Sequence, residues 1–302
     1  MPWRAAVVAC WCACVLASVD EAPCAEAWTC PELRSGRRPL KSYPGNCSGL
    51  LGAFALPPTP EWSRRCAREF LALVASSGRG RSRACVNLAP AGTGTRTLKA
   101  ALQRAGLGRC DATPSGGCYH HRHADFAVDD AFRRGAACAI MTVREPAARV
   151  ESGFRTSVLR LLERGERPGV ASASAANAAF RAGFDAGRAR RRVGGYFHVP
   201  MVAHLAGLDE ARAGGLHLVC TDGLSRDIDA LGAKMGWPAL RGGDIWAASQ
   251  NLTADFTTHL DRDARDWVNR VAYKLDYAVY ATTCQGWTVD AAVDELWPED
   301  PG

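Results

Sequence analysis

Three times along the chain a short apolar run is followed by a polar turn and then by a helical pattern, and this repetition constrains the fold more than any other feature. Residues 84–89 form the first run, ending at Pro90 and a Gly/Thr-rich turn, after which Leu98, Ala101, Leu102 and Ala105 recur at helical spacing. Residues 137–143 form the second. It breaks at Arg144, and Pro146 suits the first turn of a helix that carries Val150, Phe154, Val158 and Leu161 on one face. Residues 216–220 form the third, leading through Thr221 and Asp222 into a helical stretch over 224–235. Strands that alternate with helices in this way pair in parallel and are covered by those helices, so the fold class is α/β, a parallel sheet flanked by helices. Residues 261–280 read as one long amphipathic helix with Trp267, Val271, Leu275 and Ala278 at helical spacing.

The 302 residues are 47% hydrophobic and 23% charged, which excludes wholesale disorder and multi-span membrane folds. Residues 1–22 place Arg4 before an apolar stretch over 5–19 and the acidic pair Asp20 and Glu21 after it, the layout of a signal peptide or signal anchor. The stretch is shorter than the ~20 residues that span an average bilayer comfortably, so cleavage and anchoring both stay open. Residues 23–83 are rich in Pro, Gly, Ser and Cys and read as a stem and lead-in, with one helix around 62–75. Thirteen cysteines occur; the ten beyond Cys14 contain no C-x-x-C pair, which removes zinc-ribbon and thioredoxin spacings and leaves disulfides of an oxidising compartment. Sequons at Asn46 and Asn251 suit that compartment. The chain carries 37 Lys+Arg, only four of them lysine, against 31 Asp+Glu; beyond residue 30 the balance is 36 against 28, a net +8 that favours an acidic ligand. No nucleic-acid partner is expected.

In an open α/β sheet, ligands bind beyond the carboxyl ends of the strands. Two segments fall there. The turn Ala91, Gly92, Thr93, Gly94, Thr95, Arg96, Thr97 puts backbone N–H groups and hydroxyls at a helix N-terminus, where an anion is favoured. It lacks the Lys-Ser/Thr close of a Walker A loop, and it also reads as a plain strand-to-helix turn. The second segment runs from Thr142 to Phe154; Arg144 leaves the strand end and Ser152 lies two turns into the helix, a guanidinium and a hydroxyl able to grip a second phosphate.

Together these segments resemble the two cofactor elements of PAPS-dependent sulfotransferases, a TGT-R/T-x-L loop after the first strand and an R-x-P-x-x-R-x-x-S helix. Arg144, Pro146, Arg149 and Ser152 fall on the second pattern without a gap. The resemblance covers roughly residues 84–284 and looks closest to the Golgi enzymes that sulfate heparan-type polysaccharides. It implies a P-loop-like sulfotransferase fold over 84–302, with Gly94, Thr95, Arg96 and Thr97 on the 5′ side of PAPS and Arg144 and Ser152 on its 3′-phosphate. It implies no metal. One departure stands out: the family's loop Lys, two residues before the Gly, is Gly92 here. Cys220, Thr221, Asp222, Gly223 and Leu224 resemble the family's late structural strand-to-helix unit.

Sulfuryl transfer to a hydroxyl needs a proton acceptor, and a histidine suits that task. Residues 119–126 hold three of the seven histidines, His120, His121 and His123. A metal site and a surface cluster without function are the competing readings. The His-Ala-Asp-aromatic string at 123–126 looks like the base segment of heparan 6-O-sulfotransferases, which makes His123 the preferred base and His121 the second. Asp125 suits orienting an imidazole and, equally, capping a turn. The run ending at Arg188, Arg190, Arg191 and Arg192 suits a polyanionic acceptor or a solvated face. The expectation is a Golgi type II membrane protein, secreted if the N-terminal segment is cleaved. It would move the sulfuryl group of PAPS to a carbohydrate or polysaccharide hydroxyl, with Arg96 stabilising charge. A catalytically impaired glycan-binding member of the same fold, and a different nucleotide-dependent transferase of kinase type, are the alternatives.

Overall fold

The computed structural model of the chain describes residues 64–80, 85–88, 90, 93–104, 108–109, 118–122, 128–133, 135–153, 200–237 and 260–299. Five strands, β1 (Cys85–Leu88), β2 (Gly108–Arg109), β3 (Cys118–Arg122), β4 (Cys138–Val143) and β5 (Leu216–Cys220), form one sheet in the order β2-β3-β1-β4-β5. Every pairing is parallel. Between them lie helices α1 (Arg64–Ala75), α2 (Thr95–Arg104), α3 (Val128–Arg133), α4 (146–153), a 3₁₀ turn (Met201–Leu205) and α5 (Glu210–Ala213). After β5 come α6 (Leu224–Met235), α7 (Arg262–Trp267), a π-helical turn (Val268–Ala272), α8 (Lys274–Cys284) and α9 (Val289–Leu296).

β1 and β4 are buried along their whole length. Their largely apolar character, broken by the buried Asn87 and Thr142, follows from helices lying on both faces, since a strand with no solvent side gains nothing from alternation. Successive side chains still point to opposite faces. Val86, Leu88, Ala139, Met141 and Val143 join α1, α3, α8, α9 and the 3₁₀ turn in one core, while Cys85, Cys138 and Ile140 join Leu98 and Leu102 of α2 and Leu224, Ile228 and Leu231 of α6 in the other. The helix that the sequence reading set in the lead-in is thus part of the main core: Phe70 and Leu71 of α1 are fully buried there. A third cluster packs Ala147 and Val150 of α4 against Leu260, Ala264 and Val268.

The strand expectations hold to within a residue, and 216–220 and 224–235 are reproduced without change. The long helix over 261–280 does not form as one piece. It runs as α7, widens into the π-helical turn, breaks at Tyr273 (φ −125°, ψ 41°) and restarts as α8. A π turn carries extra residue per turn and rotates the following face, so Val271, placed by spacing beside Leu275, is 52% exposed instead.

Two disulfides join described residues. Cys85 and Cys138 sit opposite each other on β1 and β4, and Cys220 at the end of β5 is bonded to Cys284 at the end of α8. Among the described residues no helix is long and apolar enough to cross a membrane, and the apolar segment 5–19 lies outside them.

Candidate functional site at the carboxyl edge of the sheet

β1 is the middle strand. The chain leaves it toward β2 and β3 on one side and later returns through β4 to β5 on the other. The strand order therefore switches direction between β1 and β4, the place where loops diverge and an open α/β sheet leaves a crevice. Leu88 is level with Arg122 of β3 and with Met141 of β4. The three segments singled out in the sequence, the turn after β1, the residues after β3 and those after β4, consequently leave the same edge of three adjacent strands.

The turn after β1 is held from below. Thr93 is fully buried; its hydroxyl donates to the Pro90 carbonyl at 2.6 Å and lies 2.6 Å from the equally buried Thr142 hydroxyl of β4. Gly94 follows with φ +78° and caps α2, its carbonyl accepting from the N–H groups of Thr97 (3.1 Å) and Leu98 (3.2 Å). A Cβ at Gly94 would lie 3.1 Å from Thr221 Cγ2 and 3.1 Å from Leu224 Cδ2. The positive φ favours glycine, and a Cβ would also have to push both methyl groups back by a few tenths of an ångström. Thr95, Arg96 and Thr97 then form the first turn of α2, where helix N–H groups lack intrahelical partners and favour an anion. Thr97 is half-buried; Thr95 and Arg96 are described in their backbone alone. Gly92 lies outside the described residues.

Arg144, half-buried, leads from β4 into α4, and Ser152 is half-buried two turns further on. Both make further contacts within the chain. The end of β4 is fixed from the other side as well: Thr221 donates to the Val143 carbonyl through its N–H (2.9 Å) and through its hydroxyl. The carboxylate beside Arg144 is already engaged. Glu145 accepts from Arg265 and from Asn269 Nδ2 (2.8 Å), Glu151 accepts from Arg265 (2.9 Å) and from the Leu260 N–H (2.8 Å), and Asn269 Oδ1 caps the Ala147 N–H (3.0 Å). The 260–269 segment thus neutralises the acidic side of α4 and aligns its first turn.

Arg149, the remaining basic residue of the R-x-P-x-x-R-x-x-S pattern, points inward. It is buried 3.7 Å from Asp276 of α8, whose carboxylate also accepts from the N–H groups of Met201 (2.7 Å) and Val202 (2.9 Å). Burial lifts the Asp276 carboxyl to about 6, against the opposing pull of Arg149 and the two N–H donors. Arg149 is therefore a bracing residue.

His121 belongs to β3, level with Asn87 of β1; His123, one residue beyond the strand, and Asp125 lie outside the described residues, as does the 188–192 arginine run. Beyond β5, Asp222 accepts a hydrogen bond from Tyr280 of α8, and burial followed by that bond raises the phenol's pKa well above its usual range. Sequence reasoning missed the Thr93–Thr142 pair, the Thr221 clasp and Asn269. A threonine at the penultimate place of an apolar strand was the one visible hint of the first; the others depend on contacts across 78 and 122 residues. No protein-family model, no curated protein and no solved structure matches the chain.

Proposed function

We propose that the chain is a PAPS-dependent sulfotransferase with a P-loop-like fold. It would work in the Golgi lumen, held by its N-terminal segment or secreted after cleavage of that segment, and act on a carbohydrate hydroxyl. The observation that carries this reading is the shared edge: the Gly94–Thr97 helix start, the exit of β4 at Arg144 and the exit of β3 before His123 all follow the carboxyl ends of three neighbouring parallel strands. A nucleotide with phosphates at both ends of its ribose needs two anion sites on one side of an acceptor site, and that edge offers this order. In the reaction the acceptor oxygen bonds to sulfur as the bond from sulfur to the bridging oxygen of PAPS breaks. His123, or His121 in its place, takes the hydroxyl proton. Arg96 and the N–H groups at the start of α2 stabilise charge on the departing phosphate, while Arg144 and Ser152 hold the 3′-phosphate. No step requires a metal.

The test is transfer of radiolabelled sulfate from PAPS to a panel of glycans by wild type, His123→Ala and Arg144→Ala. Loss of the base should slow transfer by about 10² to 10⁴-fold, and Arg144→Ala should weaken PAP binding by roughly ten- to a hundredfold. Equal transfer by all three proteins would remove the site assignment. Gly92, in the place of the family's Lys, favours a second reading, a member of this fold that binds glycans without turnover. It predicts glycan and PAP binding with no labelled product. Stabilisation by ATP and Mg²⁺ but not by PAP would favour the kinase-like transferase.

A further inference from the structure

We propose that the Thr93–Thr142 hydroxyl pair sets the distance between the two phosphate subsites, and thereby makes the site select a nucleotide phosphorylated at both ends over either mononucleotide; this rests on the PAPS reading above. The ladder between β1 and β4 ends at Leu88–Met141, one residue short of Thr142. Beyond the ladder, a side-chain hydrogen bond links the two segments. Its direction is fixed by valence. Each hydroxyl has one proton, and the Pro90 carbonyl can only accept, so Thr93 spends its proton there and must accept from Thr142. The chain Thr142 to Thr93 to Pro90 leaves no spare donor, and both side chains are fully buried, so no water competes for it.

This bond joins the roots of both proposed phosphate sites. Thr93 immediately precedes Gly94, where α2 begins, and Thr142 stands two residues before Arg144. Thr221, whose Cγ2 lies 3.1 Å from where a Cβ at Gly94 would sit, donates twice to Val143 and so brings the third strand end against the same two segments. A ligand carrying two phosphates behaves as a bivalent one. Its second phosphate gains from the first only where the spacing of the sites matches that of the ligand. A loosened spacing leaves each site intact and weakens the ligand that must span both.

Calorimetric titration of wild type, Thr93→Val, Thr142→Val and Thr93→Ser with adenosine 3′,5′-bisphosphate, 5′-AMP and 3′-AMP tests this. Both valine variants should lose on the order of tenfold in bisphosphate affinity while each mononucleotide stays within about twofold of wild type. Thr93→Ser, which keeps the hydroxyl, should restore the bisphosphate, and the double valine variant should be no worse than either single one. If a valine variant fails to fold, Thr142→Cys, a weak donor of similar size, takes its place in the same comparison. Unchanged bisphosphate affinity overturns the proposal, as does an equal loss for all three ligands, which would make the pair a support of the fold alone. Wild type that binds none of the three overturns the PAPS reading itself, and this proposal with it.

Discussion

The family resemblance sets Gly94 on the 5′ side of PAPS, and its left-handed backbone, with Thr221 and Leu224 close to where a Cβ would lie, shows a demand that the fold makes before any ligand arrives. One residue here meets both requirements, which is why its type alone could not separate them. His217 shows the opposite case, a titratable group with no motif to announce it. It lies buried on β5, and burial, followed by the Lys234 charge, lowers its pKa to about 4; among the described residues its Nε2 has no hydrogen-bond partner. Its folded pKa lies below the unfolded 6.5, so the unfolded state binds more protons between these values, and its contribution is present above pH 6.5 and lost as pH falls toward 4. The stability difference between wild type and His217→Phe in urea should therefore shift against wild type by roughly 2–3 kcal/mol from pH 7 to pH 4.5. A difference that stays constant with pH would show that His217 is not held neutral. Asp276, raised to about 6, acts with the opposite sign, losing stability as pH rises from about 4 to 6, so only variant differences isolate either group.

Element by element, β1, β4 and β5 were legible because a buried strand announces itself as an apolar run, and α2, α4 and α6 followed from their spacing after each turn, whereas β2 and the polar β3 were not read as strands. The register was not. Nothing in residues 118–122 signals that Tyr119 pairs with both Cys85 and Arg109, because parallel pairing is set by the crossovers and the cores beneath them. The break at Tyr273 was equally hidden. Helical spacing continues through it in the sequence, and only packing shows that a π turn displaces Val271 outward while Leu275 stays in the core. Val271→Ser should thus leave thermal stability within about 0.5 kcal/mol of wild type, whereas Leu275→Ala should cost roughly 2–5 kcal/mol. Comparable losses from both would restore the single helix read from spacing.

Across the whole molecule, the two ends of the described chain hold each other. Arg64 and Arg68 of α1 form ion pairs with Asp290 and Asp294 of α9, and Arg64 reaches Glu299 as well. These pairs are exposed in part and each contributes little by itself, but they lie over the apolar contact of α1 with α8 and α9. The Cys220–Cys284 bond adds a closure of 64 residues that ties the end of β5 to α8. Replacing both cysteines by serine should cost about 4 kcal/mol on the chain-entropy account, measured by denaturant unfolding under oxidising conditions. No change would mean that the oxidised and reduced unfolded chains are equally constrained. The other disulfide serves a different purpose. Cys85 and Cys138 lie level on neighbouring strands, with Cα atoms 4.5 Å apart. A slip of one residue between β1 and β4 would turn the two side chains to opposite faces of the sheet, so in a paired sheet this bond fits the native register and not that slip. Once formed, the bond holds the alignment of the two strands that carry the candidate site, and a chain oxidised at this pair has no route to the slipped sheet short of reduction.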